Sequence, residues 1–116
     1  MTNVRAMLVG NVDGVWTRRI ETLTSDSLGD GDVLIEVEYS CINYKDGLAT
    51  SEKGKVARID PLIPGVDLVG TVVESSDASI AVGSKVIVHG NDIGVAHNGG
   101  FATMARVPAK WVIPVP

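Results

Sequence analysis

The sequence predicts a small, mainly β domain: a barrel or sandwich of short strands with brief helical turns. Three observations carry that expectation. The apolar residues, 45% of the chain, are dominated by valine, isoleucine, leucine and alanine, and β-branched side chains suit a pleated, half-buried surface. Thirteen glycines and five prolines punctuate the chain at short intervals, as turns between strands require. Between those signals stand at least six short apolar or alternating runs, the spacing of a small barrel or sandwich. At 116 residues the chain suits one domain with one real core.

The elements follow in order. Residues 4–9 and 14–23 flank Asn11-Val12-Asp13-Gly14. Asp-Gly tolerates positive φ, so this pair reads as a hairpin. Gly29-Asp30-Gly31-Asp32 turns into Val33–Tyr39, which alternates Val33, Ile35, Val37 and Tyr39 against Glu36 and Glu38. That is a half-buried strand. From Asn43 to about Thr50 the period of two is lost, and Asn43 suits an N-cap with Asp46 in the first turn. Residues 51–60 are charged and read as an exposed loop, and Pro61 and Pro64 bracket an extended piece. Strands are expected over 66–73, 85–89 and 101–107, with a final extended piece at 111–114.

Composition narrows the function. Ten basic against fourteen acidic residues give a net charge of −4, and no Lys/Arg cluster stands out, so nucleic acid is not the expected partner. No apolar run approaches a membrane span. The N-terminal residues lack the charged and apolar regions of a signal peptide. The lone Cys41 excludes an internal disulfide. The expected location is the cytoplasm. A metal site needs three or four converging ligands, and Cys41, His89 and His97 are the only Cys/His candidates, so no metal is expected.

Chemistry concentrates in Asn43-Tyr44-Lys45-Asp46-Gly47-Leu48-Ala49 and in Pro64-Gly65-Val66-Asp67-Leu68-Val69-Gly70. With Val82-Gly83-Ser84-Lys85-Val86, His97-Asn98-Gly99-Gly100-Phe101-Ala102 and Trp111-Val112-Ile113-Pro114, these segments resemble the catalytic, GroES-like N-terminal domain of medium-chain dehydrogenases/reductases. The NYKDGLA segment in particular resembles the zinc-free, quinone-oxidoreductase-like branch that includes acrylyl-CoA reductases. The matches run in order across nearly the whole chain. In zinc-dependent relatives a cysteine and a histidine at these segments hold the catalytic metal. The matching positions here are Asn43 and Val66, which implies chemistry without zinc.

The resemblance implies a GroES-like small β-barrel over residues 1–116, working beside a Rossmann domain that carries the nicotinamide cofactor. No G-x-G-x-x-G fingerprint follows a strand in this chain, so that second domain is expected to lie outside it. The implied activity is NADPH-dependent reduction of a small α,β-unsaturated carbonyl compound, an acrylyl-CoA-like thioester or a quinone, by an enzyme that is a homodimer when full-length. A different class remains open: a stand-alone GroES-like binding or scaffold module without catalysis.

The resemblance places Tyr44 at the cleft between the domains, where a phenol could hydrogen-bond a carbonyl oxygen or relay a proton. An aromatic packed under a loop is the plainer alternative. Asp46 and Asp67 match acidic positions of the two motifs and are candidate catalytic groups. Each could instead be structural, Asp46 as a first-turn acid and Asp67 as a buried partner of Arg58 or Arg106. Asn43, with Tyr44, is a candidate cofactor contact or a simple cap. Lys45, His97 and Asn98 are candidate residues of the substrate cleft, against a solvated lysine and an exposed loop histidine.

Overall fold

The Asp13-Gly14 pair turns the chain as its chemistry predicts. In a computed structural model, which describes residues 2–116, Asp13 and Gly14 take φ of 51° and 81°. A two-residue type I′ hairpin demands positive φ at both positions. The turn joins β1 (Asn3–Val12) to β2 (Val15–Thr24), with Val12 directly opposite Val15. Both strands are longer than the apolar runs alone suggest. β1 buries Val4, Ala6, Leu8 and Val9, whereas no residue of β2 is fully buried.

The remaining strands form one antiparallel sheet. β3 (Val33–Tyr39) lies between β4 (Asp67–Ser75) and β6 (Met104–Val107), and the order β6-β3-β4-β5-β7 is completed by β5 (Lys85–His89) and β7 (Ile113–Pro114). β1 crosses to this sheet through Ala6 opposite Ala102 and Val9 opposite Leu62. Residues 101–103 therefore serve β1, and the strand expected over 101–107 begins only at Met104. No ladder among the described residues joins β6 to β7, so the β-rich fold wraps without closing into a barrel.

Three apolar clusters fill it. Val33, Ile35, Leu68, Val72, Val86 and Val88 form the main one, and Leu34 joins Val4, Leu8, Leu28 and Ile63 on the other side of β3. β3 is thus covered on both faces at its start. It frays outward at its end, where the register shifts between Val37 and Tyr39 and leaves Tyr39 73% exposed rather than inward. Val9, Ala49 and Leu62 make the third cluster, against which Val56, Ala57 and Ile59 of the charged 51–60 loop pack.

The hairpin end is pinned by Asp60, whose carboxylate accepts the backbone N–H and the side-chain amide of Asn11, each at 3.0 Å. The backbone hydrogen bond first, then the amide, hold Asp60 below the usual carboxylate range. A group with a lowered folded-state pKa adds stability above its unfolded value, and that stability is lost as pH falls through the folded value. The melting temperature of the wild type should therefore exceed that of Asp60→Asn at neutral pH. The gap should close between about pH 5 and pH 2. A gap independent of pH would show that the carboxylate charge adds nothing to the tie.

Candidate functional site

The NYKDGLA segment folds as α1 (Tyr44–Ala49), opened by Asn43 in extended conformation at φ −116°, ψ 163°. The Asn43 N–H donates to Asp46 Oδ2 at 2.9 Å, which closes the first turn as a capping box does. Asp46 is 1% exposed, and its other oxygen, Oδ1, accepts the backbone N–H groups of Gly65 (3.1 Å) and Val66 (3.0 Å). Gly65 takes φ 105°, a conformation that favours glycine. The carboxylate thereby joins the start of α1 to the entry of β4.

Asn43 stands between two carboxylates. Its Nδ2 donates to Asp67 Oδ2 at 3.0 Å and to Asp46 Oδ2 at 3.3 Å, while Asp67 Oδ1 accepts the Cys41 N–H at 2.8 Å. Neighbouring negative charges would repel, and here a shared set of N–H donors offsets that repulsion. Every oxygen of both carboxylates is engaged, and so are the amide hydrogens of Asn43. Both oxygens of Asp46 accept two protein donors each, whereas each oxygen of Asp67 accepts one and keeps a further lone pair.

Beside this cluster runs a cleft of about 250 Å³, lined by Asn43, Lys45, Val66, Asp67, His89 and Asn91 among others. A second, apolar cleft of about 240 Å³ lies along Tyr39, Cys41, Leu68, Val69 and Ile87, and Asp67 and His89 line it too. The two share Asp67 and His89, which are register partners on β4 and β5. Larger hollows exist elsewhere. One of about 430 Å³, between the hairpin and residues 101–103, has Arg5 as its only ionisable group, so it offers no convergent chemistry.

The structure thus brings Asn43, Lys45, Asp46 and Asp67 together, with Asp46 beneath the surface. Tyr44 is 85% exposed and lines neither cleft, although its chain neighbours on both sides line the first. His97 and Asn98 lie apart from both. The His97 ring nitrogens contact the carbonyl oxygens of Asp30 and Asn98, both at 2.7 Å, and its ring meets Trp111 edge-on. Asn98 Oδ1 accepts the Ile63 N–H at 2.9 Å. Those two residues tie loops together where a cleft was expected. His89 and Asn91 also line the first cleft, a place that the sequence reading, which weighs His89 only as a metal ligand, does not give them. Outward alternation in β5 marks His89 as accessible, but only the strand register puts it beside Asp67.

A zinc ion does not fit this donor set. The Val66 side chain has no ligating atom, the Asn43 amide nitrogen is a donor and not a ligand, and Asp67 alone offers a carboxylate there. Among the described residues no three His, Cys, Asp or Glu side chains are placed to hold a metal.

Residues 29–116 match the alcohol dehydrogenase GroES-like domain. The chain belongs to that family. It is 40% identical over 113 residues to a probable acrylyl-CoA reductase, AcuI of Escherichia coli (strain K12), covering 97% of this chain and 35% of that protein. The fold superposes on the Bacillus subtilis protein yhfP with NAD bound at a TM-score of 0.94, with 39% identity over 100% of this chain and 35% of that one. The yhdH oxidoreductase from Salmonella enterica in complex with NADP gives 0.91 and 38%, over 97% and 35%. The domain therefore spans about a third of the length of the relatives it matches.

Proposed function

We propose that this domain is the catalytic half of a zinc-independent oxidoreductase of the cytoplasm, which reduces activated carbon–carbon double bonds with NADPH. The substrate class is a small α,β-unsaturated carbonyl compound, an acrylyl-CoA-like thioester, with a quinone as the other carrier of the same conjugated carbonyl. One observation carries this reading. The site where metal ligands would converge is instead an Asn43–Asp46–Asp67 hydrogen-bond cluster, closed on itself and set beside an open cleft.

Ile42 and Tyr44, 87% and 85% exposed, stand out from the turn that carries Asn43, and an apolar, aromatic edge of that kind suits a flat ring. When bound there, the nicotinamide supplies the hydride. The work of this chain is placement and charge. Asp46 acts as a positioning residue: it holds Asn43 and the Gly65-Val66 backbone so that α1 starts at one fixed place. Asp67 fixes the Cys41 turn from the other side. Lys45 brings a positive charge to the cleft, favourable to an anionic or phosphate-bearing substrate. Tyr44, exposed at the rim between the cleft residues Asn43 and Lys45, donates a hydrogen bond from its phenol to the carbonyl oxygen as that oxygen gains negative charge.

A well-placed donor of this kind is worth on the order of 3 kcal/mol in the transition state. In the full-length enzyme, Tyr44→Phe should therefore lower kcat for enoyl reduction by roughly 10²-fold while KM changes little. Steady-state kinetics with NADPH and an acrylyl thioester read this directly. An unchanged kcat would remove Tyr44 from the mechanism.

A further inference from the structure

We propose that His89 supplies the proton that completes the reduction described above, an assignment that rests on that reading. β5 sends Val86 and Val88 into the core and leaves Lys85, Ile87 and His89 on the outer side, with His89 closing the strand opposite Asp67. Side chains directly opposite on antiparallel strands have Cβ atoms about 4.5–5.5 Å apart. Both residues line both clefts, so the imidazole stands at their junction with Asp67 opposite it in the register. Asp67 is held by Cys41 and Asn43, which leaves the His89 ring free to turn toward a molecule in either cleft.

The other groups of the cleft are poorly suited to give up a proton. Asn43 is engaged by the two carboxylates. An ionised carboxylate such as Asp67 only accepts, and a lysine ammonium ordinarily keeps its proton at neutral pH. Imidazole is the side chain whose proton exchanges near neutrality. Of the two histidines, His97 has both ring nitrogens against carbonyl oxygens. His89 is exposed and has no side-chain hydrogen bond among the described residues. The charged or titratable groups around it are Asp67 on β4, Lys45 on α1, Tyr39 at the end of β3 and Cys41 just after it, while Asn43 and Asn91 are neutral.

The step balances as follows. The β-carbon of the enone takes a hydride from the reduced nicotinamide, and the electron pair of the double bond moves onto the α-carbon and carbonyl oxygen. The N–H bond of the protonated His89 ring then breaks with its pair left on nitrogen. The proton forms the new C–H bond at the α-carbon, and the exposed ring takes another proton from solvent.

The test uses the full-length enzyme with NADPH and an α-methyl enoyl thioester in deuterium oxide. His89→Gln keeps the size and one donor but carries no exchangeable acid. It should lower kcat by roughly 10²-fold or more, abolish the near-neutral limb of the kcat–pH profile, and scramble the configuration of the deuterated α-carbon. His89→Asn should behave alike, and His97→Gln should leave that limb in place. Independently of turnover, the ring resonances of His89 in the wild-type enzyme should shift when a saturated acyl thioester is added. Retention of rate, pH limb and configuration by His89→Gln, or unmoved His89 resonances, would overturn the proposal. A wild-type enzyme that reduces no enone thioester and no quinone would instead bring down the underlying reading, and His89 with it.

Discussion

Asp46→Ala is expected to destabilise the domain by about 4 kcal/mol, because it leaves buried backbone donors with no acceptor. The carboxylate is 1% exposed and takes four hydrogen bonds, from Asn43 N, Asn43 Nδ2, Gly65 N and Val66 N. Hydrogen bonds to a charged acceptor contribute about 1.5–3 kcal/mol each, but they share one group and are not additive. Asp46→Asn should cost less, about 2 kcal/mol, since the amide oxygen can still serve two donors while its nitrogen opposes the others. Denaturant unfolding of both variants reads the difference. A loss under about 1 kcal/mol for Asp46→Ala would mean that water replaces the carboxylate and that α1 does not depend on it.

The second large effect belongs to Gly99. A Cβ there would meet the Gly65 carbonyl oxygen at 2.1 Å, with Gly94 Cα and the Pro64 oxygen at 2.8 Å. Gly94 and Gly65 are equally crowded: a Cβ on Gly94 would reach the Gly65 carbonyl at 2.6 Å, and one on Gly65 the Gly100 nitrogen at 2.7 Å. The obstacles are backbone atoms, which cannot rotate away as a flexible side chain can. Overpacking commonly costs about 1–3 kcal/mol, and three interlocked backbone segments place Gly99→Ala at or above the top of that range. Because Gly65 also presents its N–H to Asp46, the same substitution should loosen the cleft. Gly47→Ala is the contrast. Nothing lies within 4 Å of a Cβ at that helical position, so alanine should stabilise by about 0.5–1 kcal/mol. Thermal unfolding of the pair checks both signs.

Where chemistry is local, the sequence was readable. Asp13-Gly14 determines its turn through its own φ preferences, and Asn43 with Asp46 announces the start of α1 three residues apart. Where an outcome depends on what crosses from elsewhere, it was not. Tyr39 continues the inward alternation of Val33 and Ile35, yet a register shift near the strand end turns it outward. Leu34 is buried because β1 packs over a face of β3 that alternation alone assigns to solvent. In the candidate site, Asn43, Lys45 and Asp67 were legible as cleft residues. The depth of Asp46 was not, because it follows from two backbone amides some twenty positions along the chain. His97 looked like a cleft residue because it sits in a glycine-rich loop, but its ring ties that loop to Asp30. His89 was weighed only as a metal ligand, because only the pairing of β4 with β5 brings it to Asp67.

Reduction of conjugated carbonyl compounds by a polypeptide carrying this domain should need no zinc. The full-length enzyme, treated with a strong chelator and freed of metal, is mixed with NADPH and acrylyl-CoA, and loss of the reduced nicotinamide is followed by its absorbance. Conversion to the saturated thioester should be stoichiometric and proceed at an undiminished rate, unchanged when zinc is added back. Activity that vanishes on chelation and returns with zinc would contradict that expectation.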